Sequence, residues 1–300
     1  MRAEVESLLA RHRAGGGWAP LARAITLVEN TPPRDLEILV GESAVHVVSI
    51  TGPPGAGKST LAGRLIEAYG DAGARVAVLA VDPSSPLTGG AVLGDRVRME
   101  TQLAGRPDVF VRSLASRGGL GALAAATRNV ARLLEASGSF EVVVIETVGA
   151  GQTEVAIAGL ADTVLLVTVP GLGDAVQAIK AGLMEVADHV VVNMADRPGA
   201  AETVRHLRLM SDRNLPIHRT VATDGSGVDE LHAALVARWE QLCHDGALAA
   251  GRQHKQHSEA VLVAQEWVRA TSQERSPARD DGLREAVGRI LEEAQRQWQA

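Results

Sequence analysis

From residue 45 to about residue 221 the chain alternates short apolar runs with longer stretches whose apolar positions recur every three or four residues. The runs 45–50, 76–82, 109–112, 141–146, 163–169, 189–193 and 216–221 read as strands. Several are unbroken Val, Leu and Ile, as expected of strands buried on both faces. Helix-compatible segments separate most of them; Leu61, Leu65, Ile66 and Tyr69, for example, share one helical face. The alternation predicts an α/β fold, a doubly wound, mainly parallel sheet with right-handed crossovers. Ligands of such sheets sit at the carboxyl ends of the strands.

The flanks follow a different period. Val5, Leu8 and Leu9 predict a short helix, Gly15-Gly16-Gly17 interrupts it, and Leu21, Ala24, Ile25 and Val28 predict a second that stops at Thr31-Pro32-Pro33. Beyond Gly227, Val228, Leu231, Leu235, Trp239 and Leu242 form a helical stripe. A polar stretch follows, and then a last stripe of Leu283, Val287, Ile290, Leu291 and Ala294. The expected division is an N-terminal helical extension over 1–43, a central α/β domain over 44–227 and a C-terminal helical arm over 228–300. The last apolar stripe lies so far from the sheet that a second copy of the chain is its simplest cover.

Composition narrows the class. The chain is 46% hydrophobic but only 2% aromatic, so its core must be built from Ala, Val, Leu and Ile. A net charge of -6 carries no basic signature and argues against nucleic acid as a partner. The one cysteine, Cys243, excludes an intrachain disulfide and a Cys-rich zinc site, and suits a reducing cytosol. His244, His254 and His257 match no common zinc spacing and read as solvated surface. Arg2, Glu4, Glu6, Arg11 and Arg13 leave no room for a signal peptide's apolar segment, and no apolar run approaches the roughly 18 residues of a membrane span. These features predict a soluble cytoplasmic protein.

The sharpest local signal follows the first strand. Gly52-Pro53-Pro54-Gly55-Ala56-Gly57-Lys58-Ser59, with Thr60 behind it, fits G-x-x-x-x-G-K-[ST] and stands between a strand and a helix, as that pattern requires. There the first N–H groups of the helix lack intrahelical partners and converge on an anion, and the helix dipole adds favourable potential. Gly52, Gly55 and Gly57 let the backbone wrap phosphate oxygens with no Cβ in the way. Lys58 is set to reach the β and γ phosphates, and the Ser59 hydroxyl to ligate Mg²⁺.

The loops after later strands add candidates. Asp82 and Asp95, in the stretch after the second strand, suit a metal ion directly or through water; the alternative is turn chemistry at Asp82-Pro83 and a helix N-cap at Asp95. Glu146 ends the fourth strand, ahead of Thr147-Val148-Gly149-Ala150-Gly151-Gln152-Thr153-Glu154. This is the form of a phosphate-sensing segment: an acid near the metal, then glycines whose N–H groups approach the γ phosphate and withdraw when it leaves. Gly149 is the chosen sensor. Gln152 either orients the attacking water or merely opens the next helix. Gln177 and Lys180, three apart on one helical face, read by composition as solvated polar surface.

After the sixth strand comes Asn193-Met194-Ala195-Asp196. With lysine in place of Met194 this would be a guanine reader, whose carboxylate accepts from guanine N1–H and the exocyclic amine that adenine cannot offer. The Asp196 carboxylate still supplies base selectivity, and methionine's flexible chain can cover the ring. The expectation is GTP/GDP preference with weakened binding. Val221-Ala222-Thr223, after the last strand, is the second base-contacting loop.

Taken together, these residues resemble the methylmalonyl-CoA mutase-associated GTPases of the MeaB/ArgK type. The resemblance covers nearly the whole chain: LARAITLVEN from Leu21, the phosphate loop, VDPSSPLTGGAVLGDRVRM from Val81, ETVGAGQTE from Glu146 and PGLGDAVQAIKAG from Pro170. It implies a homodimeric P-loop GTPase whose C-terminal arm dimerises, related to signal-recognition-particle and nickel-insertion GTPases. It implies service to an adenosylcobalamin-dependent acyl-CoA mutase, gating cofactor loading and protecting or restoring the mutase. The family's Mg²⁺ positions fall on Ser59, Asp82, Asp95 and Glu146, and its extra mobile switch on residues 174–180, which raises Gln177 and Lys180 to candidate switch residues. No arginine finger can be assigned, so hydrolysis is expected to be slow until a partner accelerates it. The rival readings are a metallochaperone GTPase, a P-loop kinase of the arginine/ornithine transport type, and a nucleotide-dependent scaffold that barely hydrolyses.

Overall fold

The computed structural model describes residues 2–31, 44–82, 106–115, 120–147, 149, 152–171, 182–210, 213–273 and 283–299. Asp95, Gln177 and Lys180 lie outside the described residues, as do the side chains of Asp82 and Gln152.

Each predicted strand is a strand: β1 (His46–Thr51), β2 (Val76–Asp82), β3 (Val109–Ala115), β4 (Val142–Thr147), β5 (Thr163–Thr168), β6 (His189–Val192) and β7 (Ile217–Arg219). They pair throughout in parallel, in the order β3-β2-β4-β1-β5-β6-β7. The helices among the described residues are α1 (Arg2–Arg13), α2 (Trp18–Glu29), α3 (Lys58–Asp71), α4 (Leu120–Ser137), α5 (Gln152–Ala158), the single turn α6 (Met184–Val186), α7 (Ala200–Met210), α8 (Val228–His244), α9 (Ala247–Gln273) and α10 (Leu283–Gln299).

Successive strand side chains point to opposite faces, and both faces are covered, which is why β1, β4 and β5 are buried along their whole length. On one face Val47, Leu79, Val143 and Ile145 pack with Leu133 and Leu134 of α4 and with the N-terminal helices, through Val5, Leu8, Leu21 and Ile25. On the other face Val48, Ile50, Val78 and Val144 pack with Leu61, Leu65 and Ile66 of α3 and with Val228, Leu231 and Leu235 of α8.

The topology fixes where a ligand belongs. β1 sits between β4 and β5, with β2, β3 and β4 all on one side of it and β5, β6 and β7 on the other. The carboxyl end of β1 is therefore the switch point of the sheet. Register then sets Ile50 of β1 beside Glu146 of β4 and Leu165 of β5.

The opposite end of the sheet holds the C-terminal helices. Arg252 of α9 donates to Asp162 (2.6 Å) and to the Val45 carbonyl (2.8 Å) and pairs with Glu135 (3.2 Å). Burial pushes His46 down to about 4, partly opposed by the negative charge of Asp162. His189 is likewise pushed down to about 4 by burial, and Glu135 is pushed up to about 6 by burial against the pull of Arg252. A cavity of about 460 Å³, lined by Ala124, Leu160, Val186, Leu248 and Lys255 among others, opens at this end, away from the glycine loop. On α10, Val287 and Leu291 are half exposed, while Ala294 is buried.

Candidate functional site

The loop after β1 is shaped by close approach. A Cβ on Gly52 would lie 2.1 Å from the Val167 carbonyl oxygen, and one on Gly57 would lie 2.5 Å from Asn193 Nδ2. Both glycines also hold positive φ, 142° and 79°, so residue type is dictated twice over. Gly57 caps α3 with no side-chain hydrogen bond to the helix start. The first N–H groups of a helix of 14 residues therefore face the loop without a side-chain cap.

Lys58 is buried and folds back across the loop, its Nζ donating to the carbonyls of Gly52 (2.9 Å) and Pro53 (3.0 Å). Next to it the Ser59 hydroxyl donates to Glu146 Oε1 at 2.6 Å. Glu146 is only 4% exposed, at the carboxyl end of β4. A second cross-strand bond, Thr147 Oγ1 to Thr51 Oγ1 at 3.0 Å, ties the same two strand ends together. Gly149 follows, bridged to Gly52 by antiparallel backbone pairing. Its φ is 112°, and a Cβ there would lie 3.0 Å from Glu154 Oε1.

Asn193 is buried and acts as a brace. Its Nδ2 donates to the Ala56 carbonyl (3.0 Å), and its Oδ1 accepts from Thr220 Oγ1 (3.1 Å) and from the Ala222 N–H (3.1 Å). One side chain thus joins the glycine loop to the segment after β7. Met194 has φ 53°, the one positive value at a residue other than glycine among the described residues, and its Cε lies 3.5 Å from where a Gly57 Cβ would stand. Asp196 is exposed beyond it. Val221 is paired with Ser226, which closes the loop carrying Ala222 and Thr223.

The structure therefore brings residues 52–60, Glu146, Gly149, 193–194 and 221–223 to one end of the sheet. Sequence reasoning overlooked Arg64 on α3, whose Nε and Nη2 donate to the carbonyls of Ala222 (3.2 Å) and Thr223 (3.0 Å).

A glycine loop at a switch point, a buried lysine and a serine–carboxylate pair define a P-loop nucleotide-binding fold. Over nearly its whole length the chain matches a crystal structure of an LAO/AO transport system kinase, with TM-score 0.66 and 27% identity, covering 98% of this chain and 99% of the other. The chain belongs to the family described as methylmalonyl Co-A mutase-associated GTPase MeaB, whose sequence model matches residues 21–276. It is 46% identical over 275 residues to a putative GTPase of Pyrococcus horikoshii, covering 86% of this chain and 85% of the relative. It is 37% identical over 282 residues to the GTPase ArgK of Escherichia coli, covering 86% and 81%. It is 36% identical over 271 residues to the mitochondrial methylmalonic aciduria type A homolog of Mus musculus, covering 79% and 64%. The chain is a MeaB-family GTPase, and a guanine nucleotide is the ligand its family implies. Among the described residues no helix is long and apolar enough to cross a membrane.

Proposed function

We propose that this protein hydrolyses GTP to GDP and phosphate as the timing step of a chaperone for an adenosylcobalamin-dependent acyl-CoA mutase. The observation that carries the hydrolytic part is the Ser59–Glu146 pair, two oxygen donors 2.6 Å apart beside the buried Lys58. The mutase part rests on family membership and on the relative named for methylmalonic aciduria.

In this reading the N–H groups at the start of α3 hold the phosphates, and Lys58 exchanges its carbonyl partners for β and γ oxygens. Hard oxygen donors at Ser59 and Glu146 fit Mg²⁺, with Asp82 and Asp95 completing the set; bound there, the ion would neutralise charge on the β and γ phosphates. Gly149 senses the γ phosphate through its N–H, and Gln152, at the start of α5, orients the attacking water. Gln177 and Lys180 transmit the state of the site to the mutase. Asn193, Met194, Asp196 and residues 221–223 hold the guanine. No arginine finger is assigned, so turnover is slow without the partner. Residues 1–43, 44–227 and 228–300 serve as helical extension, GTPase domain and dimerisation arm, and the half-exposed Val287 and Leu291 support a homodimer.

The test is phosphate release from GTP with and without an adenosylcobalamin-dependent mutase, together with capture of that mutase in GDP and in a non-hydrolysable GTP analogue. Stimulated release and nucleotide-dependent capture are expected. Equal rates with no capture would remove the chaperone role. The likeness to a structure named as a kinase supports a second reading, phosphoryl transfer. Free phosphate from γ-labelled GTP in the absence of any acceptor would dispose of it.

A further inference from the structure

The segment after β7 is fastened to the helix of the glycine loop from two sides. From inside, the Ala222 N–H donates to Asn193 Oδ1, and Asn193 Nδ2 donates to the Ala56 carbonyl. From outside, Arg64 of α3 donates through Nε to the Ala222 carbonyl at 3.2 Å and through Nη2 to the Thr223 carbonyl at 3.0 Å. Its remaining arm is held by Glu67 on the same helix, Nη1 to Oε2 at 3.0 Å. These bonds close a circuit that runs from Ala56 through Asn193, Ala222 and Arg64 back along α3 to the glycine loop.

The circuit fixes more than position. A guanidinium is a rigid planar fork, so two bonds from it determine the directions of two carbonyls. A peptide unit is planar and trans, so fixing the Ala222 carbonyl also fixes the Thr223 N–H that points the opposite way. Arg64 thereby sets the orientation of backbone groups available to a base without itself lying in the phosphate cradle.

We infer that Arg64 is a positioning residue for base selection, holding residues 221–223 so that their backbone discriminates among purine triphosphates. The inference rests on the reading of 193–196 and 221–223 as base-contacting loops. Its side chain is 37% exposed, so truncation opens no buried hole and the fold is expected to survive.

The experiment is displacement of a fluorescent GDP analogue by GTP and by ATP, with Mg²⁺, on the full chain and its Arg64→Ala and Arg64→Lys variants, with thermal midpoints measured alongside. The wild-type chain should prefer GTP. Arg64→Ala should weaken GTP about ten-fold, as expected for losing hydrogen bonds from a charged donor, and ATP much less, so that the preference contracts. Arg64→Lys should recover part of it, because one ammonium reaches one carbonyl where the fork reaches both. An unchanged GTP-to-ATP ratio, or an equal fall for both nucleotides, would overturn the role of Arg64 while leaving the base loops standing. A wild-type chain with no preference would remove the base-loop reading and this inference with it.

Discussion

Ser59 Oγ donates to Glu146 Oε1 across 2.6 Å, joining the first turn of α3 to the carboxyl end of β4. The two residues are 87 apart in the chain and meet because register sets Glu146 beside Ile50, immediately before the glycine loop. The pair is placed to share one Mg²⁺ ion. Ser59→Ala and Glu146→Gln should each raise the Mg²⁺ concentration for half-maximal hydrolysis at least about ten-fold, a loss in line with altered metal coordination. Nucleotide affinity measured in EDTA should not move. A Mg²⁺ titration of phosphate release decides it, and wild-type dependence in both variants would exclude the pair as ligands.

Asn193 carries the second prediction. Asn193→Ala removes partners from the Ala56 carbonyl, the Thr220 hydroxyl and the Ala222 N–H together. Stranding buried polar groups costs about 1–3 kcal/mol each before water relieves any of them. The variant should therefore melt several degrees lower even without nucleotide, and should bind GDP more weakly. An unchanged melting temperature would show that the brace bears no strain of the fold.

Gly149 has a φ of 112° and touches Gly52 through backbone pairing. Gly149→Ala forces a Cβ to within 3.0 Å of Glu154 Oε1 in a backbone conformation that L side chains rarely adopt, a strain of roughly 1–3 kcal/mol. Because Gly149 is proposed to sense the γ phosphate, GTP hydrolysis should fall while GDP affinity stays near wild type. Equal losses for GDP and GTP would assign the glycine to the cradle instead of the sensor.

Much of this was legible in the sequence because the relevant constraints are local. Strands buried on both faces announce themselves as unbroken apolar runs, and each predicted run contains a strand; β3 extends to Ala115 because its pairing with β2 continues to Asp82, while the run 216–221 shortens to the part-exposed edge strand Ile217–Arg219. The order of the strands was not legible, since which edge a strand joins depends on partners distant in the chain. Asn193 was picked out as a base contact, and its described bonds also join the Ala56 carbonyl, the Thr220 hydroxyl and the Ala222 N–H, a brace set by neighbours on other loops. Arg64 left no signal at all. With Glu67 three positions on, it reads as an ordinary solvated pair, and its other partners, Ala222 and Thr223, stand 158 and 159 residues away.

The last prediction concerns pH and the end of the sheet where the C-terminal helices dock. His46 donates or accepts at Thr163 Oγ1 (2.8 Å) and stacks on Trp239, with Asp162, Arg238, Arg252 and His189 around it. Burial pushes His46 and His189 down to about 4, against 6.5 for an ordinary histidine. Between those values the unfolded chain takes up protons that the folded chain refuses, so stability is full above about 6.5 and falls as the pH drops toward 4. Glu135 acts in the opposite sense. Its folded value of about 6 lies above the ordinary 4.5, so the folded chain holds an extra proton in that window and gains stability as the pH falls. Burial also holds His218 and His232 below the ordinary histidine value, so the histidines outweigh the one raised carboxyl and acidification brings a net loss. Melting temperature should therefore decline between about pH 6.5 and 4, and His46→Gln, which keeps a hydrogen-bonding side chain for Thr163, should make the decline shallower. A slope identical to wild type would show that His46 titrates alike in the folded and unfolded chains.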